Sequence, residues 1–83
     1  LTVTEAIRAL RTDHDTARAE HLLDEYLMRH PHGLLSEDAL ALSIEAAATE
    51  HDPRAIANAR RYLASFPHGK YRAFARRVAD APK

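Results

Sequence analysis

Tyr26-Leu27-Met28-Arg29-His30-Pro31-His32-Gly33 and Tyr62-Leu63-Ala64-Ser65-Phe66-Pro67-His68-Gly69 carry the same residue at five of eight positions, 36 residues apart. Upstream of each, His14-Asp15 matches His51-Asp52 at an offset of 37, so one residue slips between the two matches. A period in the mid-thirties indicates a repeated supersecondary unit. The apolar spacing within it is helical. Ala19, Leu22, Leu23, Tyr26 and Leu27 fall at i, i+3, i+4, i+7 and i+8, a single stripe along one helix. Pro31 and Pro67 end the helices, because the residue before a proline is pushed out of the α region. Gly33 and Gly69 are expected to supply the backbone freedom that sends the chain back antiparallel.

Reading outward gives five helices. Thr2 and Glu5 have capping-box spacing, and Val3, Ile7 and Leu10 share a face of a short first helix. Asp15 is a fitting N-cap for a second helix over about residues 16–30. Ser36 is the expected N-cap of a third, with Leu40, Ile44, Ala47 and Ala48 as its buried side. Asp52 caps the fourth, Pro53 suits its first position, and Ile56, Ala59, Leu63 and Phe66 align along it. A fifth begins near Tyr71, aligns Tyr71, Phe74 and Val78, and closes before Pro82. No window alternates with the period of a half-buried strand, and Val occurs only at 3 and 78. The expected fold is all-α: five antiparallel helices in a hairpin repeat, with repeat 1 over about residues 2–33, repeat 2 over about 36–69 and a capping helix over about 71–80.

Bulk composition bounds the function. Of 83 residues, 46% are hydrophobic, but 17 of these are Ala. Such a chain buries a thin layer between helices and cannot enclose a deep substrate cavity. No Cys is present, so neither a disulfide nor a thiolate site is available. No run approaches the roughly 20 apolar residues that cross a bilayer. The first residue is Leu1, from which we expect a segment of a longer protein. The formal net charge is zero, yet residues 1–41 hold 4 basic and 8 acidic side chains and residues 42–83 hold 8 basic and 4 acidic. The chain is therefore a dipole and lacks the overall basic excess of a nucleic-acid binder.

The repeat resembles the tetratricopeptide repeat family over nearly the whole chain. Ala19 and Ala55 match the small residue early in the family's second helix, Pro31 and Pro67 its closing proline, and Leu27 and Leu63 the apolar residue four places earlier. Leu42 and Ala46 occupy first-helix positions, while the family's early Trp is missing and Ser43 stands where it has Gly. The ending Tyr62–Tyr71 is closest to the repeats of bacterial envelope proteins such as the β-barrel assembly lipoproteins and the Tol–Pal coordinators. The resemblance implies a solenoid of stacked helix pairs and a scaffold or protein-interaction role, with an envelope or periplasmic setting favoured. It implies no catalysis and no cofactor.

The chemistry-bearing residues fit that expectation. Six His are present, but His30/His32 and His14/His21 match no closed metal-ligand set, and His30 suits a helix C-terminus. His14-Asp15 and His51-Asp52 stand at helix breaks without a nucleophile, and Ser36, Ser43 and Ser65 read as cap or helix-surface residues. Tyr26, Tyr62 and Tyr71 read as packing residues of the repeat ahead of a groove lining. The best candidate surface is the basic set Arg60, Arg61, Lys70, Arg72, Arg76 and Arg77, with Arg72 and Arg76 at i, i+4 forming a ridge with Lys70. Its expected partner is an acidic protein or peptide, or the acidic half of a second copy in a homo-oligomer. Nucleic acid is not an expected partner.

Overall fold

The computed structural model describes residues 2–81. They form α1 (Thr2–Arg11), α2 (Thr16–Arg29), α3 (Ser36–Thr49), α4 (Arg54–Ser65) and α5 (Arg72–Ala79), with no strand among the described residues. Pro82, the expected stop after the last helix, lies outside them. No helix of the described residues is long and apolar enough to cross a membrane.

Each helix packs against its successor as a hairpin, and α1 touches α3 as α3 touches α5. The backbones of α2 and α4 stay apart, bridged by Arg54, which pairs with Glu20 and lies 3.9 Å from Asp24. The odd helices thus form one layer and α2 and α4 the other. Small residues make this close layering possible. Ala6, Ala39, Ala59 and Ala75 sit in the main core among Val3, Leu23, Leu27, Leu40, Ile44 and Tyr62. Ala9, Ala19 and Ala46 close a second cluster with Leu10. Side chains this short let helix axes approach toward the near end of the usual spacing of about 8–10 Å.

The repeat is conformational as well as textual. The Tyr26 hydroxyl accepts from Leu35 N at 3.3 Å, and the Tyr62 hydroxyl accepts from Tyr71 N at 2.9 Å, 36 residues on. His30 N donates to Tyr26 O at 2.8 Å and Phe66 N to Tyr62 O at 2.7 Å. Tyr26 tilts 38° against His30, and Tyr62 tilts 38° against Phe66. At the other end His14 and His51 take φ of 51° and 53°, and the amides of Asp15 and Asp52 reach back to Ala9 O and Ala47 O.

That pattern corrects the glycine expectation. Among the described residues no glycine has positive φ; the left-handed positions are the two histidines. Gly33 and Gly69 are needed for space. A Cβ on Gly33 would lie 2.9 Å from His30 Cβ, and one on Gly69 would collide with the Tyr62 hydroxyl and lie 2.6 Å from Glu37 Oε2.

Other boundaries and faces differ from the expectations. Thr2 is already helical, α2 ends at Arg29 with His30 as its cap residue, and Tyr71 precedes α5. Asp15 does cap α2, accepting from Arg18 N at 3.1 Å, and Asp52 accepts from Arg54 N at 2.9 Å ahead of α4. Leu35, not Ser36, precedes α3; Ser36 is its first residue, and its hydroxyl donates to His30 O at 2.6 Å. Ser43 is buried rather than on the surface, and its hydroxyl accepts from Asn58 Nδ2 at 3.0 Å. Helix α3 lies between neighbours, so it buries Ala39, Ala41 and Ala46 beside Leu40, Ile44 and Ala47. In α4 the buried line is Ala55, Ala59 and Tyr62, while Ile56, Leu63 and Phe66 are not fully covered. Packing against α3 and α5 at once turns Tyr62 inward.

Candidate interaction surfaces

The N-terminus of α3 is tied to the turn between α4 and α5. Tyr62, fully buried, donates its hydroxyl to Glu37 Oε2 at 2.6 Å, and the same carboxylate oxygen accepts from Lys70 N at 3.0 Å. Tyr71 donates its hydroxyl to Asp38 Oδ1 at 2.7 Å, and Lys70 Nζ reaches Asp38 at 3.1 Å. Burial, reinforced by the Glu37 carboxylate, pushes the Tyr62 hydroxyl up to about 12. The bond from Tyr71, with help from Lys70, holds the Asp38 carboxyl below its usual range despite desolvation.

This latch decides the fate of the basic set. Lys70 is consumed by Asp38 and stands over the Tyr71 ring at 5.2 Å, so it is not a free member of a ridge. Arg72 is exposed and donates to Gly69 O at 3.1 Å. At about 3.6 residues per turn Arg76 lies about 40° from Arg72 around α5, and Arg77 about 140°. Arg72 and Arg76 therefore share a face, and Arg77 turns toward a different one. Arg60 and Arg61 are exposed on α4. Among the described residues Arg60, Arg61, Arg76 and Arg77 make no ion pair, whereas Arg54 and Lys70 are spent on carboxylates of the acidic half. Folding thus cancels part of the charge gradient internally.

A groove of about 530 Å³ runs across the odd layer. Val3 and Ile7 of α1, Ala41 and Leu42 of α3, Leu35 before it, and Tyr71 and Phe74 at α5 give it an apolar lining. Arg11 and Glu45, joined by a two-pronged ion pair, stand in its wall, as does Asp38. Ile7 and Leu35 remain 41% and 36% exposed, so the floor is open to a visitor. Periodicity alone assigns Ile7 to a covered face and leaves Leu35 in a turn without a role. Val3 and Ile7 stand at i, i+4 on one face, yet Val3 is buried in the core and Ile7 is not, a difference that spacing does not reveal.

Among the described residues no three His, Asp or Glu side chains come together as a metal site. His14 and His51 serve as turn residues. Tyr71 is a groove residue as well as a packing one, while Tyr62 is wholly core. Comparison with known proteins finds no matching family model, no similar curated protein and no similar solved structure.

Proposed function

We propose that this domain is a non-catalytic protein-interaction module whose odd-layer groove takes a short apolar segment of a partner protein. The observation that carries the reading is the groove itself: an apolar lining drawn from three helices, left open, with charged groups fixed in its wall. Apolar surface of this kind, rimmed by polar groups, marks interaction sites. The ion pairs of Arg11 and Asp38 hold those charged groups in place before a ligand arrives. The resemblance to tetratricopeptide repeats of bacterial envelope proteins supports a scaffold role in such a setting.

Selection of a random peptide library on the immobilised domain tests this reading. Selected peptides should carry large apolar residues and lose at least about tenfold in affinity, roughly 1.4 kcal/mol, when Ile7→Glu places a charge in the floor. Ile7 is already 41% exposed, so the variant should keep its helical circular dichroism. Peptides that bind the variant as tightly as the parent would refute the groove.

A second reading is self-association, acidic half to basic half, favoured by Arg60, Arg61, Arg72, Arg76 and Arg77, which make no ion pair among the described residues. Sedimentation at rising ionic strength distinguishes it, because charge-driven assembly weakens with salt. A strict monomer at low salt and high concentration removes it.

A further inference from the structure

The two copies of the repeat differ in charge where α2 and α4 end. In the first copy Glu25 and Arg29 stand at i, i+4 on α2 and pair at 3.0 Å. At the 36-residue offset those positions are Arg61 and Ser65 on α4. The second copy therefore carries a guanidinium where the first carries a carboxylate, and a hydroxyl where the first has the countercharge. The carboxylates at the start of α3 are already engaged, Glu37 with Tyr62 at 2.6 Å and Asp38 with Lys70 at 3.1 Å. Among the described residues Arg61 makes no ion pair.

Arg61 and Ser65 stand on the rim of a recess of about 160 Å³ between the ends of α2 and α4, with His32 beside them. Leu27 and Leu40, both buried, form its floor, and Phe66 a side. Every rim group can donate: a guanidinium has five N–H bonds, a neutral imidazole one in either tautomer, and serine one O–H. Ser36, deeper in the lining, has spent its hydroxyl on His30 O at 2.6 Å. Among the described residues no carboxylate lines this recess, whereas Asp38 and Glu45 stand in the wall of the odd-layer groove. The carbonyl ends of α2 and α4 oppose an anion here by about half a charge each, and the amide end of α3 favours one by as much. Part of that carbonyl charge is satisfied by the amides of His30, Gly33, Phe66 and Gly69, so the full charge of Arg61 sets the sign.

We infer that this recess binds a small apolar monocarboxylate. Its hydrocarbon part rests on Leu27, Leu40 and Phe66, and its carboxylate meets Arg61, with His32 and Ser65 as further donors. A dry space of about 150 Å³ accepts a benzene ring, so the volume limits the apolar part to one ring or one branched chain. Ligands of cofactor size need about 300 Å³ or more and do not fit. The guanidinium offers the paired N–H bonds that match a carboxylate. This chemistry has two sources, a free acid or the apolar last residue of a polypeptide. The recess shares no lining residue with the odd-layer groove, so neither site depends on the other.

Phenylacetate is the probe, titrated into the isotopically labelled full chain with amide shifts followed, and phenylacetamide is its uncharged match. A ligand of so few atoms should saturate in the millimolar range, moving the amides of His32, Ser65 and Phe66 and leaving Val3, Ile7 and Leu35 in place. Phenylacetamide should bind at least about fivefold more weakly, the worth of one exposed ion pair. Arg61→Gln, at an exposed position, should weaken phenylacetate by the same factor and leave phenylacetamide unchanged, which separates lost charge from lost fold. Equal affinities for the acid and the amide would overturn the inference, as would acid binding indifferent to Arg61→Gln. Shifts centred on Arg76 and Arg77, or no saturation at about 50 mM, would overturn it too. A tripeptide ending in a free leucine carboxylate, run beside its C-terminal amide, distinguishes the sources. Binding tighter than phenylacetate and lost in the amide names a chain end, and weaker binding names a free acid.

Discussion

Tyr26 and Tyr62 are the same residue of the repeat, yet removing their hydroxyls should have unequal consequences. Tyr62→Phe deletes a 2.6 Å bond to the Glu37 carboxylate and leaves the Tyr71 amide without its acceptor. A hydrogen bond to a charged group contributes about 1.5–3 kcal/mol and a neutral one about 1 kcal/mol; partial hydration of the two stranded groups brings the expected loss to about 2–3 kcal/mol. An 83-residue domain has a total of about 4–12 kcal/mol, so this is a large share. The corresponding fall in Tm is about 10–20 °C. Tyr26→Phe deletes a single 3.3 Å bond from Leu35 N in an exposed setting and should cost only about 0.5–1 kcal/mol. Urea denaturation followed by circular dichroism, with equal m-values required, measures both. Equal losses for the two variants, or a larger one at Tyr26, would refute the claim that the Glu37 latch sets the second tyrosine apart.

The same hydroxyl has an alkaline signature. Its value is raised from 10.0 to about 12 in the fold, so its contribution is complete below pH 10 and is lost as pH climbs through 12; Tyr62→Phe should flatten stability over that window in alkaline melts. Asp38 behaves oppositely. Its folded value is depressed, so its contribution is present above the ordinary carboxylate value and is lost as pH falls through the lowered one. Asp38→Asn should therefore remove part of the acid-side slope in acid titrations of stability. His51 sits at φ 53°, where a side chain is strained, so His51→Gly should stabilise by about 0.5–1 kcal/mol while His51→Val destabilises, both read from thermal melts. Gly69→Ala should lower Tm as severely as Tyr62→Phe, because the added methyl displaces the hydroxyl from Glu37.

Much of the architecture was legible because helix ends are local chemistry. Pro31 and Pro67, Asp15 and Asp52, and the apolar stripe of α2 place the helices within a residue or two, and the repeated octet predicts a repeated turn. Other features depend on residues distant in sequence. Asn58 makes Ser43 an interior residue from 15 positions away. Glu37 and Asp38, favourable to the helix dipole by position, also hold Tyr62, Lys70 and Tyr71. The basic ridge loses Lys70 for that reason. Periodicity assigns one face to a helix, but α4 packs against two neighbours, so Tyr62 displaces Ile56 and Phe66 from the deepest position. The groove was hidden because an apolar residue that lines an open floor has the same spacing as one that is covered.

Neighbours within the two layers are held by different means. Van der Waals contact joins the odd helices along their crossings, while the guanidinium of Arg54 spans from α4 to Glu20 and Asp24 on α2. A stack clamped along one side and tethered on the other behaves as a leaf spring, bending about the clamped side. Salt, or Arg54→Ala, should splay the even helices and pinch the groove on the opposite side, coupling ionic strength to the shape a partner meets. Small-angle scattering would register the change in curvature, and an unchanged profile on loss of Arg54 would show that the clamped side alone fixes it.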